Sequence, residues 1–473
     1  MNNPKPDPQQ ILRALPAVQR LLEEPAARAL EARFGRNAVL AAAREAVDWL
    51  RAEMLAGNSF GGNEQAQAAA LKYLLTRVEG RCGGGVRRVI NATGVILHTG
   101  LGRAVLPAAA LQDIAAELAG YAAVEVDLES GKRAHRDAAV RDLLTTLLGC
   151  EHATAVNNNA AGTMLALAAI ARGKEVIVSR GELVEIGGSF RVPDVMRESG
   201  CRLIEVGTTN RTYARDYEAA ITPETAALLL VHPSNFRLAG FTESPSVSEV
   251  AAVAHQHNLP LLYDIGSGAL LPDLAGELKE EPVVSTALAE GADLVLFSAD
   301  KILGAAQGGV AVGKQVLVEK MRKHPLYRAF RLDKLILRVL ETTLRLYLDP
   351  ERRSETVPTL KMLRKPLAEI SAEAAALATR LARALDGLEA LSLEDSSRLG
   401  SGSLPEKNIP TRVVSLRHKT LSAEQLAQRL RAHKPPIFTR IQDDRVLIDP
   451  RTLQSGDAEE IERAIGALDN RQP

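Results

Sequence analysis

Two residues at the ends of predicted strands could together carry out amine and carbonyl chemistry. Asp264 ends the apolar run LPLLYD, and Lys301 follows the apolar run ADLVLFSAD. Open α/β sheets bind their ligands at the carboxyl ends of the strands. A carboxylate there can keep a pyridinium nitrogen protonated and a lysine can form a Schiff base, so the pair predicts a pyridoxal phosphate site. The alternative is a surface salt bridge, but the Gly- and Ser-rich residues around both positions favour a binding site.

An Asn-rich loop could bind the phosphate of such a cofactor. It lies between a predicted strand ending at Val156 and a helix expected to begin near Thr163, where free backbone N–H groups bind phosphate. Its residues are Asn157, Asn158, Asn159, Ala160, Ala161 and Gly162. The alternative is an Asn-rich turn that caps the helix. Ser267 and Ser298 could add hydroxyl donors to the same phosphate, although each could equally cap a local turn.

Basic residues without an evident local partner predict a second anion site. They are Arg103, Lys132, Arg133, Arg136, Arg328 and Arg331. If the segment YRAFR is helical, its i, i+3 spacing places Arg328 and Arg331 on one face, where both can bind one phosphate-like ligand. The alternative for each basic run is a solvated surface.

The elements that must position these residues alternate between short apolar runs and Ala/Leu-rich helices. Near-continuous apolar strands are buried on both faces, which predicts an α/β fold with a mostly parallel sheet covered by helices. The predicted strands are residues 154–156, 175–179, 202–206, 227–231, 259–264, 293–297 and 309–312.

The sequence divides into three predicted domains. Residues 1–82 show helical periodicity and end in a glycine cluster at 80–85, which is typical of a flexible hinge. Residues 86–345 form the large catalytic domain. Residues 346–473 form a small α+β domain with predicted helices at 367–388 and 423–432 and predicted strands at 412–416 and 445–448.

Charge and cysteine content exclude several functional classes. The 58 basic and 58 acidic residues cancel, so no overall field predicts a nucleic acid or an anionic membrane as partner. Cys82, Cys150 and Cys201 have no metal-type spacing and are too dispersed for a disulfide framework. With no spanning segment or signal peptide in the sequence, we expect a cytoplasmic protein that contacts no membrane and holds no metal.

Long motifs carry a resemblance to a known family. In chain order they are RRVINATGVILHTGLGRA, VNNNAAG, SRGELVEIGGSFRVPDVM, HPSNFR, YDIGSG, FSADKILG and HPLYRAFRLDK. In these motifs the chain closely resembles bacterial selenocysteine synthases, the L-seryl-tRNA(Sec) selenium transferases. The resemblance covers nearly the whole chain.

The resemblance implies a fold and a reaction. The fold would be that of fold type I pyridoxal phosphate enzymes, assembled as a ring of dimers, a homodecamer. Seryl-tRNA(Sec) would be converted to selenocysteinyl-tRNA(Sec) with selenophosphate, through a cofactor aldimine on Lys301 and an aminoacrylyl-tRNA intermediate. Asp264 would face the pyridine nitrogen, and Arg103, Arg328 and Arg331 would line the pocket for the selenium donor.

The resemblance also makes the N-terminal helical domain the candidate tRNA-binding domain. Residues 1–81 contain 11 Lys/Arg and nine Asp/Glu, a net charge of only +2. Five arginines nevertheless concentrate in one stretch: Arg28, Arg33, Arg36, Arg44 and Arg51. The alternative for this domain is dimerisation or ring packing. For the whole chain, the alternatives are a pyridoxal phosphate lyase or transferase acting on a small phosphorylated amino compound, and a non-catalytic tRNA-binding scaffold.

Overall fold

The computed structural model describes residues 15–186, 190–233, 238–272, 281–400 and 408–468. Residues 1–14 of the predicted N-terminal domain, and parts of the motifs SRGELVEIGGSFRVPDVM and HPSNFR, lie outside these ranges. The contacts divide the chain into two compact units, residues 1–88 and 89–473. The three-domain division stays a prediction. No helix in the described ranges is long and apolar enough to cross a membrane.

The first unit is helical. Its helices are α1 (Val18–Glu23), α2 (Pro25–Phe34), α3 (Arg36–Leu55) and α4 (Asn63–Cys82). Apolar residues repeat every three or four positions, so each helix turns one face inward, and Leu21, Leu50 and Leu74 are fully buried in the common core. The predicted glycine hinge begins too early, because α4 includes Gly80 and continues to Cys82.

The second unit contains the strands. In chain order they are β1 (Ile90–Asn91), β2 (His152–Val156), β3 (Glu175–Ser179), β4 (Glu185–Ile186), β5 (Phe190–Arg191), β6 (Arg202–Val206), β7 (Thr225–Val231), β8 (Leu261–Gly266), β9 (Leu294–Ser298), β10 (Gly309–Gly313), β11 (Leu388–Ser397), β12 (Ile409–His418), β13 (Ile437–Phe438), β14 (Arg440–Gln442) and β15 (Arg445–Ile448). The seven strands predicted for the sheet correspond to β2, β3 and β6 to β10.

These seven strands form one mostly parallel sheet in the order β2-β10-β9-β8-β7-β3-β6. Only β10 runs against its neighbours β9 and β2, and the other pairs are parallel. The carboxyl ends of the other strands therefore meet at one edge, together with the amino end of β10. The sheet is buried on both faces, as the apolar runs predicted.

Helices cover the sheet and continue into the C-terminal region. They are α5 (Ala108–Glu117), α6 (Ala138–Leu148), α7 (Asn159–Ala171), α8 (Val192–Glu198), α9 (Ala214–Ala219), α10 (Val247–Gln256), α11 (Val284–Ala289), α12 (Gln315–Lys323), α13 (Pro325–Ala329), α14 (Lys334–Tyr347), α15 (Arg353–Thr356), α16 (Pro358–Arg364), α17 (Leu367–Ala384), α18 (Ala423–Arg431) and α19 (Asp457–Gly466).

A smaller antiparallel sheet lies in the C-terminal region, in the order β11-β12-β15-β14. The helix predicted for residues 367–388 ends at Ala384, and β11 begins at Leu388 because the chain turns there at Gly387, which has a φ of +78°. The early strand β1 pairs with β13, and Ile90 is buried in the core beneath this sheet. Residues 90–91 therefore pack with the C-terminal region, although sequence order placed them in the catalytic domain.

A glycine fixes how closely β10 approaches the loop after β2. Gly309 pairs with Val156, and a Cβ atom at this position would overlap the backbone carbonyl of Asn158. The neighbouring Gly308 has room for a Cβ, whose nearest atom would be the Ala299 Cβ at 3.5 Å. Of these two neighbouring glycines, only Gly309 is therefore required by the packing of the backbone.

We predict that Gly309→Ala lowers the thermal unfolding midpoint and displaces the loop at Asn158. Inserting a methyl group against backbone atoms typically costs about 1–3 kcal/mol. Thermal unfolding followed by circular dichroism would measure the loss, with Gly308→Ala as the matched control expected to stay close to wild type. Equal midpoints for the two variants would contradict this account of the β10 approach.

Candidate functional site

Asp264 is a buried carboxylate held by two hydrogen bonds from one helix. It lies in β8 with 7% of its surface exposed. The Asn159 side-chain amide donates to Oδ1 at 2.8 Å, and the Thr163 hydroxyl donates to Oδ2 at 2.8 Å. Burial raises the pKa of Asp264 above its ordinary value, although these two hydrogen bonds and the charge of Lys301 act in the opposite direction. The carboxylate is thus fixed in position at the carboxyl edge of the sheet.

The Asn-rich loop is the beginning of α7. The helix starts at Asn159, earlier than predicted, because the Asn158 side chain caps it by accepting a hydrogen bond from the Ala161 N–H at 2.8 Å. Ala160 and Gly162 lie in the first turn. The capping alternative therefore holds for Asn158, while Asn159 binds Asp264. Helix capping and phosphate binding are compatible, since an N-terminal turn offers several N–H groups.

Lys301 is buried close to Asp264. Only 6% of its surface is exposed, and it follows β9 after two residues. Burial lowers the pKa of Lys301 and so does the charge of Arg103, whereas Asp264 and Asp300 raise it. A lysine whose amine loses its proton more readily than usual is better suited to act as a nucleophile or base.

Arg103 contacts the residue next to Lys301. Its Nη1 atom donates to Asp300 Oδ2 at 2.7 Å, and Asp300 is 7% exposed. Arg103 adopts a φ of +62°, which is uncommon for a residue with a side chain. Asp300 is 197 residues from Arg103 in sequence, so this ion pair agrees with the prediction that Arg103 has no local partner. It places one arginine beside the reactive lysine.

The two predicted serine donors occupy different environments. The Ser267 hydroxyl is fully buried and donates to the Glu281 carboxylate. Ser298 is the last residue of β9 and is 9% exposed. Both serines lie near the carboxyl edge of the sheet, and a phosphate-binding role for either one stays a prediction.

Arg328 and Arg331 line a separate basic cavity of about 420 Å³. Arg133, Arg136 and Arg322 also line it, together with Glu125, Asp137 and Tyr327. Arg103 is not among its lining residues. The cavity has five arginines against two carboxylates, so it is suited to an anion.

The helical spacing expected for YRAFR is wrong. Helix α13 ends at Ala329, and Arg331 is extended, with a backbone bridge to Val156. The two arginines reach one cavity because the chain turns after Phe330. The prediction that Arg133 and Arg136 have no local partner is wrong, since both pair with Glu125.

Sequence reasoning missed three residues at this edge of the sheet. Thr163 binds Asp264, as described. His232 follows β7, and burial together with the charge of Lys301 lowers its pKa to about 4, so its imidazole is neutral. Glu182 accepts the Val231 N–H at 3.0 Å, and burial raises its pKa to about 8. The position of His232 directly after a predicted strand could have identified it as a site residue from the sequence.

Pyridoxal phosphate fits the chemistry of these residues. A buried lysine, a carboxylate fixed by two donors and an N-terminal helix turn supply the three contacts that its aldehyde, ring nitrogen and phosphate require. The Oδ1 atoms of Asn157 and Asn159 are buried and have no hydrogen-bond partner among the described residues, so polar groups remain for a ligand.

Comparisons with known proteins find relatives along most of the chain. The family model for L-seryl-tRNA selenium transferase matches residues 89–454, and the model for the selenocysteine synthase N terminal region matches residues 12–51. An L-seryl-tRNA(Sec) selenium transferase of Alkaliphilus metalliredigens is 46% identical over 94% of this chain and 96% of its own. One of Solidesulfovibrio magneticus is 51% identical over 78% of this chain and 79% of its own.

A solved structure supports the fold. The structure of D-glucosaminate-6-phosphate ammonia-lyase has a TM-score of 0.56 at 22% identity and covers 83% of this chain and 98% of its own. The fold is fold type I of pyridoxal phosphate enzymes, which confirms the expected fold class, and pyridoxal 5'-phosphate is the cofactor. The chain belongs to the L-seryl-tRNA selenium transferase family.

Proposed function

We propose that this chain converts seryl-tRNA(Sec) to selenocysteinyl-tRNA(Sec) with selenophosphate as the selenium donor. The observation that carries the proposal is the buried pair of Asp264 and Lys301 at the carboxyl edge of the sheet, in a chain of this family. In the overall reaction the serine hydroxyl is exchanged for a selenol, and the phosphoryl group of the donor leaves as phosphate. Atoms and charge balance without an oxidant or a reductant.

Lys301 would bind the cofactor and move the proton. Bound pyridoxal phosphate supplies an electron sink that acidifies the Cα proton of the seryl group and promotes loss of its β-hydroxyl. Lys301 Nζ accepts the Cα proton when it is uncharged, a state that burial favours by lowering its pKa. Asp264 holds the ring nitrogen, and the first turn of α7 holds the phosphate.

The basic cavity supports a phosphorylated selenium donor. Selenophosphate is a multiply charged anion, and arginine forks bind phosphoryl oxygens by two parallel hydrogen bonds. Arg328 has no carboxylate partner among the described residues, so its guanidinium remains available. Arg331 lies 4.0 Å from Glu125, a weak pairing that an anion can replace. Arg103 lies beside Lys301 and is not among the residues that line this cavity, so its contact with the donor stays a prediction.

The helical unit supports tRNA binding through exposed arginines. Arg28 and Arg44 are exposed and have no carboxylate partner in the described part of the chain. Arg36 pairs with Glu31 at 3.4 Å, and Arg51 pairs with Asp48 at 2.7 Å. Unpaired surface arginines on helices are suited to phosphate contacts with a folded RNA. We also propose that the chain assembles as a ring of dimers and is located in the cytoplasm.

Arg328→Ala is expected to impair selenium transfer more than loss of the serine hydroxyl. One charge-assisted hydrogen bond is worth about 1.5–3 kcal/mol, so transfer should slow roughly tenfold or more. Holoenzyme incubated with seryl-tRNA(Sec), with and without selenophosphate, would be assayed for selenocysteine and for remaining serine. A variant equally slow in both steps would show that Arg328 serves the cofactor or the tRNA. Wild-type protein that forms no selenocysteine would refute the proposed function.

Thr163→Val is expected to weaken cofactor binding, because it removes a hydrogen bond that positions Asp264 and opposes the effect of burial on its pKa. The loss of a hydrogen bond to a charged group predicts an affinity reduced about tenfold or more. Absorbance titration with pyridoxal phosphate measures it, and Thr163→Ser, which retains the hydroxyl, is the matched control. If valine is tolerated as well as serine, Asn159 alone suffices to hold the carboxylate.

The double variant Arg28→Gln, Arg44→Gln should bind seryl-tRNA(Sec) more weakly, with a smaller dependence on salt. Each lost phosphate contact reduces the log–log salt slope by about 0.7–0.9. Filter binding at several salt concentrations would measure the slope. The control is Arg77→Gln, whose arginine already pairs with Glu45 at 3.3 Å. An unchanged slope in the double variant would favour an assembly role for the helical unit.

A further inference from the structure

One arginine of the basic cavity is buried and only partly hydrogen-bonded. Arg322 lies on α12, and its side chain is 4% exposed. Its Nη2 atom donates to Asp137 Oδ1 at 3.1 Å. This contact uses one of the five N–H donors of the guanidinium.

Asp137 holds this arginine in a fixed orientation. The carboxylate is 1% exposed, and its Oδ2 atom accepts from the Thr154 hydroxyl at 2.7 Å and from the Tyr327 hydroxyl at 2.9 Å. Thr154 lies in β2, so the sheet itself anchors the carboxylate. Arg322 is therefore preorganised, and a ligand that binds it would meet little cost of ordering the side chain.

The remaining N–H groups of Arg322 have no hydrogen bond. Nη1 and Nε are buried and have no hydrogen-bond partner among the described residues. The carboxylate of Glu319 is 3.9 Å from Nε, which is too long for a hydrogen bond. A buried cationic donor without an acceptor is costly, and such a group in a native structure points to an unseen acceptor. Arg322 lines the same cavity as Arg328 and Arg331.

We propose that Arg322 is a third arginine that binds a tetrahedral phosphoryl anion in this cavity. Its free N–H groups would approach the anion from the buried wall, while Arg328 and Arg331 approach from the more exposed segment. The inference rests on the proposed function in one respect, that the phosphoryl group is that of the selenium donor. The anion site itself depends only on the cavity and its charges.

The test uses inorganic phosphate and the full-length holoenzyme. Isothermal titration calorimetry should show phosphate binding at least about tenfold weaker in Arg322→Met, the effect expected for the loss of a charge-assisted hydrogen bond. Methionine preserves much of the buried volume. The control is Arg197→Gln outside the cavity, where the side chain is 72% exposed and pairs with Asp194, and its phosphate affinity should stay within about twofold of wild type.

A second measurement avoids any change of sequence. In a wild-type holoenzyme crystal soaked with inorganic phosphate, the anion should lie within hydrogen-bond distance of the Arg322 guanidinium. Wild-type phosphate affinity in Arg322→Met, or a bound phosphate that does not contact Arg322, would overturn the proposal.

A third measurement separates the anion site from the donor. Arg322→Met should raise the KM for selenophosphate by a factor similar to its loss of phosphate affinity. If phosphate binding depends on Arg322 but the KM for selenophosphate does not, the anion site stands and its assignment to the donor is wrong.

Discussion

A carboxylate removed from water must find hydrogen-bond donors, and much of this site is organised around that requirement at Asp264. Both donors, Asn159 and Thr163, come from the first two turns of α7. The helix that faces the predicted phosphate position is therefore tied to β8, which carries the carboxylate. Gly309 lets β10 pass close to the start of the same helix. Asp264 thus links β8 to α7, and Gly309 brings β10 to the start of the same helix.

The apolar runs of the sequence predicted the positions of most strands. Strands β3, β6 and β15 have the bounds that their apolar runs predicted, and β2, β7, β8, β9 and β10 differ by one or two residues. Asp264 and Lys301 could be paired in advance, because parallel strands align their carboxyl ends whatever the distance along the chain. Strand β11 was missed since its residues alternate in exposure after a long helix and carry no continuous apolar run.

The rest of the site depends on contacts that no local pattern encodes. Whether an asparagine caps a helix or binds a distant carboxylate is decided by side-chain direction, and here Asn158 and Asn159 do one each. Arg331 reaches the cavity through a turn after Phe330, so its helical spacing was misleading. The burial of Arg322 against Asp137 arises from residues far apart in sequence and could not be read from either.

The position of β10 in the sheet also determines when β2 can pair during synthesis of the chain. Strand β2 and the helix that follows it leave the ribosome early, yet the neighbour of β2 in the sheet is β10, which is made much later. Until residues 309–313 emerge from the ribosome, β2 has no partner strand in the sheet and the loop at Asn157 has no strand beside it. The nascent chain therefore carries an unpaired strand over a long interval, a state prone to aggregation. Because Gly309 packs against Asn158, the start of α7 gains this contact only after β10 is made.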